Sequence, residues 1–286
     1  MPELPEVEVA RRVIASVLEG GRVERVWVRD ALVAKGLAGL EGWRAERVAR
    51  RGKWLRIELT SGTEKGAGER RDDAQGAVIL FAHLGMSGKW LAIEPGAPEL
   101  PYERVRVEVV RGGKRGGLVY LDTRRLGRIR AAHADTATWA ALGPDVLEDG
   151  VDAHALFRAL QGTRRSVKEA LLDQRILAGA GNIHAIEALW RARIDPRSRS
   201  DALSLADVRA LARAVRASIA FGLGLYGREA ALAYVNEAEG ANPYRIYQRH
   251  GTPCPRCRTP LAKIVLGGRG TTFCPSCQRR IVGAPR

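Results

Sequence analysis

Residues 254–277, CPRCRTPLAKIVLGGRGTTFCPSC, hold every cysteine of the chain in the pattern C-x2-C-x16-C-x2-C. Cys254, Cys257, Cys274 and Cys277 are thereby spaced as the ligands of a four-thiolate zinc site. Two disulfides are the rival reading, but paired C-x2-C knuckles in an intracellular chain favour the metal. Four thiolates leave zinc no open position, so one structural Zn2+ is expected, holding a hairpin too small to bury a core of its own. No organic cofactor is implied. Between the knuckles, LGGRGTTF puts Arg269 among glycines near a hairpin tip, where a guanidinium can reach a phosphate.

The charge of the chain points the same way. Lys and Arg number 47 against 32 Asp and Glu, a net charge of +15, which raises the prospect of a polyanionic partner. Nine basic residues and no acid lie between Arg245 and Arg286, so a basic C-terminal module is expected. At 286 residues, with 45% hydrophobic and 28% charged, the chain suits two domains, or one with an appendage, and is too apolar for wholesale disorder. No apolar run approaches the roughly 20 residues of a membrane span. The start, MPELPEVEVA, carries acids where a secretory signal carries bases, so an intracellular, cytoplasmic protein is expected.

Upstream of the cysteines the hydrophobic period changes twice. Pro5 suits the first turn of a helix, and Val7, Ala10, Ile14, Val17 and Leu18 recur at helical spacing before Gly20 and Gly21 stop it. Val26 and Val28, then Leu55, Ile57 and Leu59, then Val105, Val107 and Val109 alternate with polar residues, while 77–81 and 118–121 are short apolar runs. An antiparallel β-sandwich carrying an N-terminal helix follows. The polar stretch 60–76 reads as a solvated loop and 143–150 as a linker. Beyond lie helices: a short one at 153–160, and one opened by a Ser204/Asp207 capping box with Val208, Leu211, Val215 and Ile219 on one stripe and Arg209, Arg213 and Arg216 off it. The fold class is α+β and multidomain.

Two further stretches carry chemistry. Removal of the initiator methionine would leave Pro2 as a secondary amine, part of it neutral at physiological pH, able to attack an electrophilic carbon beside the proton-shuttling carboxylate of Glu3. In GAGNIHAIEALW, residues 179–190, glycines allow close backbone approach and Asn182 can cap the following helix, whose first amides offer an anion site suited to a backbone phosphate. Lys53 in RRGKWL, His83 and Met86 in HLGMSG, and Arg124 and Arg125 in LDTRRLG sit at strand ends.

Taken in order, MPELPEVE, RGKWL, HLGMSG, D-x-RR-x-G, LLDQRILAGAGNI and the terminal GGRGTTFC resemble, nearly end to end, the bacterial formamidopyrimidine-DNA glycosylases, with the endonuclease VIII enzymes as cousins. The resemblance implies a catalytic helix and β-sandwich over 1–132, a helix-two-turn-helix domain over 133–240 and a zinc-finger hairpin over 241–286. It implies a monomeric base-excision-repair glycosylase and apurinic-site lyase that removes 8-oxoguanine and ring-opened purines from double-stranded DNA, working on the nucleoid. Pro2 would attack C1′, Glu3 would move protons, Lys53 would assist and bind phosphate, and Arg269 and Asn182 would grip the phosphate flanking the lesion. Met86, Arg124 and Leu126 would fill the space vacated by the flipped nucleotide. Arg125, Arg164 and Lys168 would add phosphate contacts, with Tyr102 and His83 also facing DNA.

Four positions depart from the family pattern. Leu126 stands for phenylalanine and loses a stacking ring; Tyr102 stands for histidine and carries no positive charge; His184 stands for tyrosine; Thr123 stands for proline. Two alternatives follow: the same chemistry on oxidised pyrimidines, which Leu126 favours and Leu4 of PELPE disfavours, or a damage-binding protein without catalysis, which the intact Pro2, Glu3, Lys53 and Arg269 disfavour.

Overall fold

The computed structural model describes residues 2–61, 76–132, 137–226 and 242–283. Met1, nearly all of the polar stretch 60–76, and residues 227–241 lie outside the described residues. The chain forms two compact units, one of Pro2 with Glu6–Ala140, the other of Glu3–Pro5 with residues 141–226 and 242–283.

The first unit is a nine-stranded sheet with the helix α1 (Leu4–Leu18) from Glu6 onward, and a short α2 (Ala137–Ala140). Its strands are β1 (Arg22–Val28), β2 (Ala34–Lys35), β3 (Arg44–Arg51), β4 (Trp54–Thr60), β5 (Ala77–His83), β6 (Lys89–Ile93), β7 (Glu103–Arg111), β8 (Lys114–Leu121) and β9 (Arg128–Ala132). They run in the order β2-β9-β5-β4-β3-β1-β7-β8-β6, antiparallel except at β2 and β9. β1 and β3 meet at a single register, Arg22 opposite Arg44. Leu18 of α1, Ile57 and Leu80 from strands on one side of this pairing, and Trp90, Val107 and Leu118 from strands on the other line one apolar interior. That is the expected sandwich. The alternation of Val26 and Val28 is kept, opposite Val107 and Val105; a bulge between Val23 and Arg25 adds one residue and brings Val23 onto the same face, while Val28, at the end of the strand, is 39% exposed.

The second unit packs α3 (Ala153–Gln161), α4 (Val167–Leu172), α5 (Asn182–Arg191), a 3-10 turn (Ser200–Ala202) and α6 (Leu205–Gly224), followed by the hairpin β10 (Ala262–Leu266) and β11 (Arg269–Phe273). The capping box is formed, with Ser204 and Asp207 bonding each other's backbone amides. Val208, Leu211, Val215 and Ile219 are buried, and Arg209, Arg213 and Arg216 face water. Every residue of α5 between Ile183 and Trp190 is buried, which makes it the central helix of this unit. The linker read at 143–150 is a folded turn instead. Asp145 accepts from the amides of Leu147 and Glu148, the segment bridges to Ala178, and Val146 enters the helical core. Glycines at both ends mark the turn, but the buried aspartate and valine between them tie it down. Among the described residues, no helix is long and apolar enough to cross a membrane.

Candidate functional site

The four cysteine sulfurs lie within 4.8 Å of one another, with Cys254 and Cys277 at 3.7 Å and Cys257 and Cys274 at 3.4 Å. Zn–S bonds of about 2.3 Å in a tetrahedron place sulfurs about 3.8 Å apart, so the cluster fits one zinc ion with no open position. The knuckles are held from outside as well. Trp190 of α5 donates its indole N–H to Cys254 Sγ, Arg256 stacks 4.5 Å over the Trp190 ring, and Gln278 accepts from Cys274 N while donating to Ile194 O. Chelation should unfold the 254–277 hairpin and lower affinity for a DNA duplex by at least about tenfold, since the exposed Arg269 and its basic neighbours lose their mount. Zinc release followed by fluorescence anisotropy checks this.

Between β10 and β11, Gly267 and Gly268 both take positive φ, 55° and 70°, the conformation of a two-residue type I′ turn. Arg269 follows at the first position of β11, exposed, as expected of a hairpin tip. The tip is seated on α4, because a Cβ at Gly267 would lie 3.2 Å from Glu169 Cγ. Asn182 Nδ2 donates to Gly270 O, joining the start of α5 to the same hairpin.

The α5 N-terminus overturns one expectation. Gly181, not Asn182, is the N-cap, and Asn182 is the first helical residue. The first amides do bind an anion, but it is the chain's own: Ile183 N donates to Glu3 Oε1 at 2.9 Å and His184 N to Glu3 Oε2 at 3.3 Å. A helix N-terminus attracts any nearby carboxylate, and Glu3 is covalently placed to arrive first. The close approach permitted by glycine is likewise made by the chain itself. Gly179 has φ +103°, its carbonyl accepts from Leu4 N, and a Cβ there would fall 2.4 Å from Leu4 Cδ1. Gln174, which the sequence reading passed over, closes the loop by accepting from Gly179 N and donating to Ala180 O.

Lys168 of α4 is wholly buried, and its Nζ has no hydrogen-bond partner among the described residues; Asn182 Oδ1 is in the same condition. Burial, then the neighbouring Arg269 charge, pushes the Lys168 ammonium down to about 8 against the opposing pull of Glu169 and Glu3. Glu3, Lys168, Asn182 and Arg269 therefore share one electrostatic neighbourhood although four separate segments supply them. Arg164 stands apart, exposed and 3.9 Å from Asp201.

In the first unit, Pro2 is buried, and Lys53, 8% exposed, follows Gly52 (φ +58°) in the two-residue turn from β3 to β4. His83 ends β5, packed 4.9 Å from the Trp54 ring. Burial, with the Lys53 and Arg128 charges, lowers its imidazole to about 4, so it is neutral at physiological pH. Its Nδ1 accepts from Gly85 N, which shapes the turn that follows. On that turn Met86 is 37% exposed, and on the β8–β9 turn Arg124 is exposed and Leu126 is 46% exposed. The two turns touch, since a Cβ at Gly85 would meet the Leu126 backbone at 2.4 Å. Asp122 binds both, accepting from Ser87 Oγ at 2.5 Å, Arg124 N at 3.2 Å and Gly127 N at 2.7 Å.

Arg125 is engaged by Asp30 at 2.6 Å. Tyr102 is 58% exposed at φ +62°, its carbonyl accepting from Asp122 N. His184 faces inward, bonded to Ser218 Oγ at 2.9 Å and edge-on to Tyr244, so its departure from the family pattern is a matter of packing between α5 and α6.

Residues 1–129 match the family model of the formamidopyrimidine-DNA glycosylase N-terminal domain, 142–229 that of the formamidopyrimidine-DNA glycosylase H2TH domain, and 251–280 that of a zinc finger found in FPG and IleRS. The formamidopyrimidine-DNA glycosylase of Corynebacterium aurimucosum is 37% identical, over 99% of this chain and 98% of its own length. The chain belongs to the formamidopyrimidine-DNA glycosylase family. Among solved structures, MutM (FPG) from Thermus thermophilus is 35% identical with a TM-score of 0.76, over 97% of this chain and 98% of its own. Lactococcus lactis Fpg in complex with abasic-site DNA is 26% identical with a TM-score of 0.79, over 98% and 100%. The glycosylase fold expected from the motifs, an α+β assembly with a helical H2TH region and a four-cysteine finger, is the fold observed.

Proposed function

We propose that the protein is a base-excision-repair DNA glycosylase and apurinic-site lyase that removes oxidised or ring-opened purines from double-stranded DNA in the compartment that holds the chromosome. It works through a catalytic module at 1–132, a helix-two-turn-helix module at 133–240 and a finger at 241–286. The observation that carries this reading is the gathering of Glu3, Lys168, Asn182 and Arg269 around the α5 N-terminus, directly after the amine-bearing Pro2 in sequence.

Pro2 N, freed of Met1, forms a bond to C1′ of the damaged nucleotide as the C1′–base bond breaks and its electron pair leaves with the base. Glu3, fixed by two backbone amides, passes protons between the leaving base and the opening sugar. The iminium then acidifies the C2′ hydrogen, so loss of that proton expels the 3′ phosphate; a second elimination expels the 5′ phosphate, and water releases Pro2. Lys53, Lys168, Asn182 and Arg269 bind the flanking backbone, and Arg164 and Tyr102 add contacts further out. Met86, Arg124 and Leu126 enter the stack, and neutral His83 orders their turn. Bound zinc supplies no chemistry here; its four thiolates hold the finger.

Excision from duplexes carrying 8-oxoguanine opposite cytosine, an oxidised pyrimidine, or an abasic site tests the reading, with fastest release expected from the first. Leu126 supports oxidised pyrimidines as a second substrate class, in line with a Lactococcus lactis relative solved with oxidised-pyrimidine DNA. No cleavage of any of the three sinks the proposal.

A pH dependence follows from Lys168. Its ammonium is charged below about 8 and lost as pH rises through that value. Affinity for a duplex with an uncleavable abasic analogue should fall about three- to tenfold between pH 7 and 9, and the salt slope should shrink by about 0.9 as one phosphate contact is lost. Lys168→Arg, which stays charged, should flatten the profile; a parent profile flat across this range would remove Lys168 from the interface.

A further inference from the structure

The exposed Arg124 and Leu126 ride on a turn whose middle residue, Arg125, takes φ +55°, a left-handed conformation that strains a residue with a Cβ. Arg125 is held there by a forked contact to Asp30, Nε to Oδ2 at 2.6 Å and the terminal nitrogen to Oδ1 at 3.1 Å. Such a fork fixes direction as well as distance.

Asp30 is itself buried and immobilised. Its Oδ1 accepts from Leu32 N at 3.0 Å, and its carbonyl accepts from Val33 N and Ala34 N. Arg104 stands 3.8 Å from Oδ2 and donates through Nε to Asp122 O at 2.9 Å. Asp122 in turn binds both exposed turns. Two carboxylates thus frame one projection, Asp122 from beneath and Asp30 through Arg125, and none of the sequence motifs pointed to Asp30. The hydrogen bond from Arg125 keeps the Asp30 carboxyl below its ordinary range, so the pair stays charged throughout neutral pH.

We propose that Asp30 is a positioning residue for opening the duplex. By holding Arg125, it aims the 122–127 turn so that Met86, Arg124 and Leu126 enter the base stack as one rigid wedge. Arg125 serves as a strut inside the protein, and its charge is directed to Asp30 more than to phosphate. The assignment rests on the glycosylase reading above.

The test separates substrates that need the wedge from one that does not. A lesion base must be turned out of the stack, whereas an abasic site has no base to evict. Asp30→Asn suits the purpose because the amide Oδ1 can still accept from Leu32 N, while its NH2 meets the guanidinium as donor against donor. It should slow 8-oxoguanine excision from a duplex about tenfold, the scale of one lost charge-assisted hydrogen bond, and change cleavage of a preformed abasic site by less than about twofold. Arg125→Gln should reproduce the selective loss, and the double variant should lose no more than either single one, as residues acting through one contact do. Asp30→Glu should restore part of the excision rate, and thermal melting of each variant checks that the fold persists. Equal loss on both substrates, additive losses in the double variant, or no loss on either with an active parent overturns the assignment. A parent inactive on both substrates overturns the glycosylase reading, and the wedge with it.

Discussion

Borohydride should trap the protein covalently on a duplex holding 8-oxoguanine or an abasic site, and Pro2→Gly should cut that trapping by about a hundredfold or more, the scale of losing one positioned reacting group. A secondary amine condenses with an aldehydic sugar carbon to a charged iminium, the species that hydride reduces. Glycine keeps an amine but removes the ring that fixes its direction in a buried position. Binding to an uncleavable duplex should change little, since Lys53, Lys168 and Arg269, the proposed phosphate contacts, remain. Intact-mass measurement first establishes that Met1 is absent. Trapping that persists unchanged in the variant, or an adduct mapped to another residue, removes Pro2 from the reaction.

Glu3→Gln should reduce base excision by roughly two to four orders of magnitude, because an amide cannot exchange the proton that a carboxylate can. The structure adds a second effect. Both Glu3 oxygens accept from amides of α5, and glutamine would present its NH2 to one of those N–H groups, at a cost of about 1–3 kcal/mol for a buried donor left without an acceptor. A lowered melting temperature should therefore accompany the lost activity, while cleavage of a preformed abasic site should suffer less than excision. Single-turnover rates on the two substrates, read beside calorimetry, distinguish these effects. Excision at the parent rate would leave Glu3 a purely structural anchor.

Most of the architecture was legible because local chemistry repeats along the chain. Alternation marked β4 and β7, and the paired knuckles marked the metal, since thiolate spacing is set by the ion more than by the fold. The ordered motifs carried the family and the candidate residues Pro2, Glu3, Lys53 and Arg269. Where one extra residue entered β1 as a bulge, Val23 joined the face of Val26 and Val28 out of step with the alternation, because a two-residue period has no memory across an insertion.

What only the tertiary structure decided concerns who partners whom. An anion site at the start of α5 can be recognised from GAGN, but Glu3, about 180 residues away in sequence, occupies it. Nothing in a linear pattern records that pairing. The same holds for Lys168, whose buried amine beside Arg269 depends on a hairpin returning to α4, and for Asp30, which meets Arg125 across 95 residues. Hydrophobic period and ligand spacing are properties of neighbours along the chain, so the sequence alone determined elements, metal and family. Charge partners are brought together by long-range packing, so the tertiary structure decided which acids and bases act together.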